Sequence, residues 1–223
     1  SGIPTFRDVQ VGLWEKFSPA ALADPQAWAD DPEQVWAWYS WRASLVRQSQ
    51  PNAGHRALAT WQQREGVQLD IATQNVDDLH ERGGAQVLAH IHGELFALRC
   101  SACGKASGTT YPEVLEQVAQ LEPPRCAECD GLIRPGVVWF GEALPEEAFH
   151  AAVEAAQSAD LVLVVGTSGL VHPAATIPHL AGARGVPVVE INPVETELTE
   201  AADHVWRATA AAALPGLVEQ LEP

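Results

Sequence analysis

Three apolar runs set the first expectation. Val67-Gln68-Leu69-Asp70-Ile71-Ala72-Thr73 ends at Gln74-Asn75, Ala159 to Val165 ends at Gly166-Thr167-Ser168, and Val186-Pro187-Val188-Val189-Glu190-Ile191 ends at Asn192-Pro193. Short runs rich in β-branched residues, apolar on both faces, suit parallel strands covered by helices. Helical patterns fall at Gly54–Arg64, Pro145–Ser158, His172–Gly182 and Ala210–Leu221. Strand and helix alternating at this pace predict an α/β fold with a doubly wound parallel sheet. Ligands of such sheets bind beyond the carboxyl ends of the strands, so the three polar strand-end clusters are expected at one crevice.

Two segments break the alternation. Residues 13–50 are rich in Trp and read as a helical insertion, with Asp31-Pro32-Glu33 as a helix start and Pro51 as a stop. Residues 99–133 carry all four cysteines, as Cys100-x2-Cys103 and Cys126-x2-Cys129. Two such pairs supply four thiolates, a closed tetrahedral set for one structural Zn2+ with no position left for water. Two disulfides or a redox dithiol are the alternatives, and the paired spacing favours zinc. The expected organisation is a sheet domain from 1–12, 51–98 and 134–223, a helical insertion at 13–50 and a zinc module at 99–133.

Candidate chemistry clusters around these breaks. Gly166-Thr167-Ser168 offers N–H groups and hydroxyls to a phosphate or ribose, although small polar residues end many strands. Asn75 and Asp77 can hold a carboxamide or a ribose hydroxyl, and equally can be helix caps. His92 stands before a glycine and just ahead of the cysteine segment, and imidazole is the default general base near neutrality. Tyr39 and Arg42 are three apart, on one face if helical, where phenol and guanidinium bind a carboxylate. The plainer alternative is a helix with Trp in the core and Arg42 in solvent.

Charge narrows the partners. The 223 residues carry a formal net charge of −16, with lysine only at Lys16 and Lys105. A surface that acidic repels phosphate backbones, which argues against nucleic acid. No apolar run is long enough to cross a membrane and no secretory leader pattern is present, so no membrane partner is expected. Cysteines confined to metal-type pairs fit a reducing cytoplasm.

Together these segments resemble the sirtuins, the NAD-dependent protein deacylases, nearly end to end. Ser1-Gly2-Ile3-Pro4-Thr5-Phe6-Arg7 is similar to the family's SGIPxFR stretch, Thr73-Gln74-Asn75-Val76-Asp77 to its TQNxD motif and His92-Gly93 to its catalytic HG. Arg134 to Pro145 is similar to its RPxVVxFGExLP segment, and Gly166-Thr167-Ser168 with Pro173-Ala174-Ala175 to its GTSxxVxPA loop. The resemblance implies a Rossmann-like domain with a smaller lobe built from the helical insertion and the zinc module. It implies His92 and Asn75 as catalytic residues, and NAD held by Phe6, Arg7, Gln74, Asn75, Asp77, His92, Gly166, Thr167, Ser168 and Asn192. Val138 and Phe140 are implied as peptide-binding residues. A subset of the family carries a Tyr-x-x-Arg pair and a small residue matching Ala23, and prefers acidic acyl-lysines. Tyr39, Arg42 and Ala23 therefore imply a desuccinylase-like enzyme with weaker deacetylation, yielding nicotinamide and O-acyl-ADP-ribose. ADP-ribosyl transfer or NAD hydrolysis at the same site, and a catalytically silent NAD sensor, are the alternatives. The chain holds no methionine, and Ser1 matches the second serine of the family's GAGxSxxSGIP segment, so a preceding strand and glycine loop are expected in a longer natural chain. Asn192-Pro193-Val194-Glu195 places its acid one residue later than the family's common form.

Overall fold

The computed structural model describes residues 1–3 and 19–221, so Phe6 and Arg7 lie outside the described residues. In chain order the elements are helices α1 (Pro19–Leu22), α2 (Pro25–Asp30), α3 (Pro32–Gln48) and α4 (Ala53–Gln62), strand β1 (Ala72–Thr73), helix α5 (Leu79–Arg82), strands β2 (Ala89–His90), β3 (Gly93–Cys100) and β4 (Ile133–Val137), helix α6 (Glu146–Ser158), strand β5 (Val162–Val165), helix α7 (Ile177–Gly182), strands β6 (Val188–Ile191) and β7 (His204–Trp206), and helix α8 (Ala210–Gln220). They fall into two compact units. One holds the described part of Ser1–Gln50 with Asn75–Asp78 and His92–Leu144, and the other holds Pro51–Gln74, Leu79–Ile91 and the described part of Pro145–Pro223.

The second unit carries the parallel strands. β1 pairs with β2, and β5, β6 and β7 form a three-stranded parallel sheet in that order, with Val164 opposite Glu190 and Ile191 opposite Trp206. Ile191 is fully buried against Ala57 of α4 and Ala213, Leu214 and Val218 of α8, the apolar faces that helices must bury on such strands. Only the end of the run from Val67 to Thr73 becomes strand. Its earlier backbone is engaged elsewhere: Val67 N–H donates to the Arg64 carbonyl at 3.3 Å, and the Gln62 carboxamide donates to the Leu69 carbonyl at 2.8 Å. Strand β7 escaped the sequence reading because it is three residues long and exposed throughout at a sheet edge, too short for a run to mark it.

The first unit is built on α3 and an antiparallel ladder. Asp31 caps α3 by accepting from Gln34 N–H at 3.0 Å, with Pro32 at the first turn. From Val35 to Ser44 every residue of α3 is buried, which makes it a helix apolar on all sides inside a core. β3 and β4 pair antiparallel, Gly93 opposite Val137 and Cys100 opposite Ile133. Residues 93–98 and 134–144, which the sequence pattern had assigned to the domain of the parallel strands, belong with that ladder to the unit of the helical and cysteine segments. Trp36, Leu95, Leu98, Ile133 and Trp139 meet in one core there. Among the described residues no helix is long and apolar enough to cross a membrane.

Gly136 fixes the approach of the two strands. A Cβ at that position would lie 1.9 Å from the Ala97 carbonyl oxygen and 2.8 Å from that of Glu94, and backbone cannot yield as a side-chain tip can. Gly136→Ala is expected to cost at least about 3 kcal/mol, the upper range for overpacking. A thermal melt checks this, with the variant unfolding several degrees below the wild type or failing to accumulate in soluble form.

Candidate active site and metal centre

Three consecutive residues after β4 join most of the candidate positions of the first unit. Val138 N–H donates to the His92 carbonyl at 2.8 Å, and Phe140 N–H donates to the Ala23 carbonyl at 3.0 Å. Between them the Trp139 indole N–H donates to the Tyr39 hydroxyl at 3.0 Å. His92, half-buried at the start of β3, therefore shares one backbone wall with Ala23 and Tyr39. The turn bearing Asn75 and Asp77 is tied to the same strand, since Leu95 N–H donates to the Val76 carbonyl at 2.7 Å. Phe140 is 50% exposed, so its ring faces outward from this wall.

Tyr39 and Arg42 share the buried helix α3. Tyr39 is 1% exposed and Arg42 7%, with the guanidinium carbon 5.0 Å from the centroid of Trp38. The account of Arg42 as a solvent-facing residue is thereby corrected: α3 has no solvent face at that turn. Burial pushes the Tyr39 phenol well above its ordinary range, against the smaller opposing effects of the Trp139 hydrogen bond and the Arg42 charge. It stays a neutral donor.

Trp139 was not singled out from the sequence, yet it holds the wall in place. Arg134 forms two parallel hydrogen bonds to Glu142, at 2.6 and 2.9 Å, and its guanidinium lies 3.3 Å from the centre of the Trp139 ring. Glu142 also accepts from Trp139 N–H at 2.8 Å. Burial alone would raise the Glu142 carboxyl, but the hydrogen bonds from Arg134 and Trp139 and the Arg134 charge hold it below its ordinary value. The signal available in the sequence was a tryptophan flanked by apolar neighbours at the end of an Arg-Pro strand.

The second unit holds the other cluster. Gly166 follows β5 with φ +64°, and a Cβ there would meet nothing within 4 Å, so the loop leaves an open cradle at its turn. Thr167 accepts from the Gln74 carboxamide at 3.2 Å, and its carbonyl accepts from the Asn192 carboxamide at 2.8 Å. Ser168 accepts from Leu170 N–H at 3.4 Å. Gln74, Gly166, Thr167, Ser168 and Asn192 are thus brought together. Asn192 is 6% exposed and also accepts from Val194 N–H at 3.3 Å, so its amide organises the loop from both ends. The acid displaced in the sequence, Glu195, is exposed. Behind the loop, Glu190 is 1% exposed and accepts from Thr196, from Thr199 at 2.7 Å and from Arg207 at 2.8 Å. Burial raises its carboxyl, these donors overcome that and the net direction is down. A lone acid in an apolar strand was the signal for this support.

The four cysteine sulfurs lie within 4.8 Å of one another. Cys100 and Cys129 are 3.5 Å apart and Cys103 and Cys126 3.8 Å, close to the ~3.8 Å between sulfurs set tetrahedrally around zinc at 2.3 Å. The same compactness makes the thiols compete for protons. Cys100 is lowered to about 6, chiefly by the Cys103 N–H, while Cys129 rises to about 12 because neighbouring sulfurs outweigh the Gly131 N–H. The donor set fits one structural Zn2+, which would take the place of those protons.

The description of the family model that matches residues 1–173 is the Sir2 family. The chain belongs to that family. This sirtuin is 52% identical over 221 residues to a protein of Mycobacterium tuberculosis named NAD-dependent protein deacylase, covering 99% of this chain and 92% of the relative. It is 50% identical over 224 residues to the protein of the same name from Corynebacterium glutamicum, with 99% and 86% covered. Among solved structures, a Sir2 homologue in complex with NAD matches with a TM-score of 0.87 and 45% identity over 99% of this chain and 83% of that one. A Sir2 protein bound to a propionylated peptide matches with a TM-score of 0.80 and 28% identity, covering 92% and 85%. The sirtuin's fold is accordingly the Rossmann-like α/β fold of the family with a cysteine-built metal module.

Two outcomes follow for this sirtuin. Metal analysis is expected to find one zinc per chain, and Cys126→Ser to lose it together with about 10 °C or more of melting temperature. Glu142, depressed in the folded state, contributes stability that is full above the ordinary 4.5 and is lost as pH falls through the lower folded value. Glu142→Gln is expected to be less stable at pH 7, toward the lower end of the roughly 3–5 kcal/mol for breaking a buried pair. Its stability should also fall less steeply than the wild type's as pH drops below the ordinary 4.5, as denaturant titrations at each pH would show.

Proposed function

We propose that this sirtuin is an NAD-dependent protein-lysine deacylase whose preferred substrates carry an acidic acyl group: succinyl, malonyl or glutaryl. The observation that carries the reading is the tripeptide wall from Val138 to Phe140, which binds His92, Ala23 and Tyr39 into one arrangement with Arg42 on the same buried helix. A phenol that stays protonated and a guanidinium that is always charged form a donor pair suited to a carboxylate. A neutral acetyl group has nothing to offer that pair.

NAD, when bound, supplies an ADP-ribosyl group that leaves nicotinamide and takes over the acyl group. Gly166, Thr167, Ser168 and Asn192 are assigned to its adenosine half, where the open turn at Gly166 leaves room for backbone N–H groups to meet oxygen atoms. Gln74, Asn75 and Asp77 are assigned to its nicotinamide end, and Phe6 and Arg7 are carried over from the family motif alone. His92 would accept a proton from a ribose hydroxyl, a general-base role worth roughly 10²–10⁴-fold. The substrate peptide would add as a strand along residues 138–141. The Val138 carbonyl accepts no hydrogen bond among the described residues and would take the lysine Nε–H. Half-exposed Phe140 would cover the aliphatic stem. We place the protein in a reducing cytoplasm, where its four free cysteines remain available to metal.

Assays on matched succinyl- and acetyl-peptides, with and without NAD, test the reading. Arg42→Met is expected to lower kcat/KM for succinyl-peptide by more than tenfold and for acetyl-peptide far less, as removal of a charged hydrogen bond implies (about 1.5–3 kcal/mol). Product masses should show O-acyl-ADP-ribose, and His92→Asn should lose nearly all turnover while retaining zinc. Equal losses on both peptides from Arg42→Met would refute the acidic preference, and free ADP-ribose as the sole product would refute deacylation.

A further inference from the structure

The hydrogen bond from Trp139 to Tyr39 has a direction that chemistry dictates. An indole N–H donates and never accepts, so at 3.0 Å the Tyr39 oxygen is the acceptor. A phenolic hydrogen prefers the plane of its ring and has two orientations there, one on each side of the oxygen. The side facing Trp139 is occupied by the indole hydrogen. The Tyr39 O–H is therefore turned to the other side, where no acceptor meets it among the described residues. An unspent donor on a residue 1% exposed is costly unless a ligand supplies the acceptor.

We infer that Trp139 is the residue that sets the acyl specificity of this sirtuin, by fixing Tyr39 as a hydrogen-bond donor aimed at the acyl terminus. The inference rests on the acidic-acyl reading of Tyr39 and Arg42. Trp139 does not itself touch substrate here and is a positioning residue.

The indole is well placed for this. Its ring lies under the Arg134 guanidinium at 3.3 Å, its backbone N–H is held by Glu142, and the Trp28 ring packs at 5.7 Å. Its two neighbours in the chain are pinned to His92 and Ala23. Rotation of Trp139 away from Tyr39 would break this set, so the donor direction is built into the wall rather than chosen on binding. Accepting a hydrogen bond also polarises the phenol and strengthens it as a donor. Arg42, one helical turn from Tyr39, supplies the charge. The phenol supplies direction. Trp139→Phe would keep an aromatic ring there without the N–H and release the hydroxyl to face either way.

The test uses two variants, because an enlarged cavity could unfold the simpler one. Trp139→Phe removes the N–H with some volume. Replacing Trp139 by 3-benzothienylalanine puts sulfur in place of the N–H and keeps the shape. For each variant, the ratio of kcat/KM on succinyl-peptide to that on acetyl-peptide is measured, alone and combined with Tyr39→Phe. The ratio is expected to fall about five- to tenfold, the scale of one hydrogen bond, with the loss in KM for succinyl-peptide and the KM for NAD held. In the Tyr39→Phe background, where the hydroxyl is already gone, neither variant should lower the ratio further. An unchanged ratio in the isosteric variant, or a further fall without the hydroxyl, overturns the inference while the acidic-acyl reading stands. If the wild type shows no preference for succinyl-peptide, or Tyr39→Phe leaves that preference intact, the underlying reading fails first and takes the inference with it.

Discussion

The pairing of Arg134 with Glu142 is the constraint on which the first unit's chemistry rests. Arg134 is drawn into the protein at 9% side-chain exposure, where an unpaired guanidinium would be strongly unfavourable. Glu142 answers it with both oxygens and then uses one of them again on Trp139 N–H. The pair's net stabilisation is modest once desolvation is subtracted, as buried pairs generally show. Its effect is geometric: an irregular segment just past β4 acquires a single conformation. Strand pairing alone does not reach that far, since the ladder ends at Val137 opposite Gly93.

The two units solve the problem of placing loops in different ways. In the first, a charged clamp and an indole fix a short stretch against a helix buried on every side. In the second, side-chain amides and a buried acid do so: Gln74 and Asn192 both converge on Thr167, and Glu190 with Arg207 anchors the chain that returns after β6. Arg207 donates to the Val194 carbonyl at 2.9 Å while pairing with the buried acid, so one guanidinium satisfies a charge and ends a loop. Both are preorganised polar networks, which lose little entropy when a ligand arrives.

Legibility in the sequence followed the range of the forces involved. Helices α4, α6 and α8 and the cores of β5 and β6 were visible because burial imposes a local period, and the cap at Asp31 because it is a local hydrogen bond. The metal module was visible because thiolate geometry demands two close pairs. What stayed hidden depended on partners far apart in the chain. Trp139 meets Tyr39 one hundred residues away, and the antiparallel ladder that reassigns residues 93–98 is visible only once β4 is placed beside β3. Arg42 shows the same limit from the other side. Its spacing from Tyr39 was legible, but its burial depended on a helix enclosed all round, which the alternation of Trp with small residues did not reveal.

The overall charge gives the buried donors a further reason to exist. At −16 the protein repels an acidic acyl chain as it approaches, whereas a lysine-rich protein around that chain is attracted. Both fields fade within about 8 Å at physiological salt. Under the proposed function, selectivity for the acyl terminus would therefore come from groups within direct reach and shielded from water, where a guanidinium and a phenol act at low effective dielectric. Arg42 and Tyr39 are both buried among the described residues, at 7% and 1% exposure. Under the proposed function, recruitment and discrimination would then be separated by distance. The acidic surface would favour the substrate protein's basic residues, and only the interior of the first unit would distinguish the modification it carries.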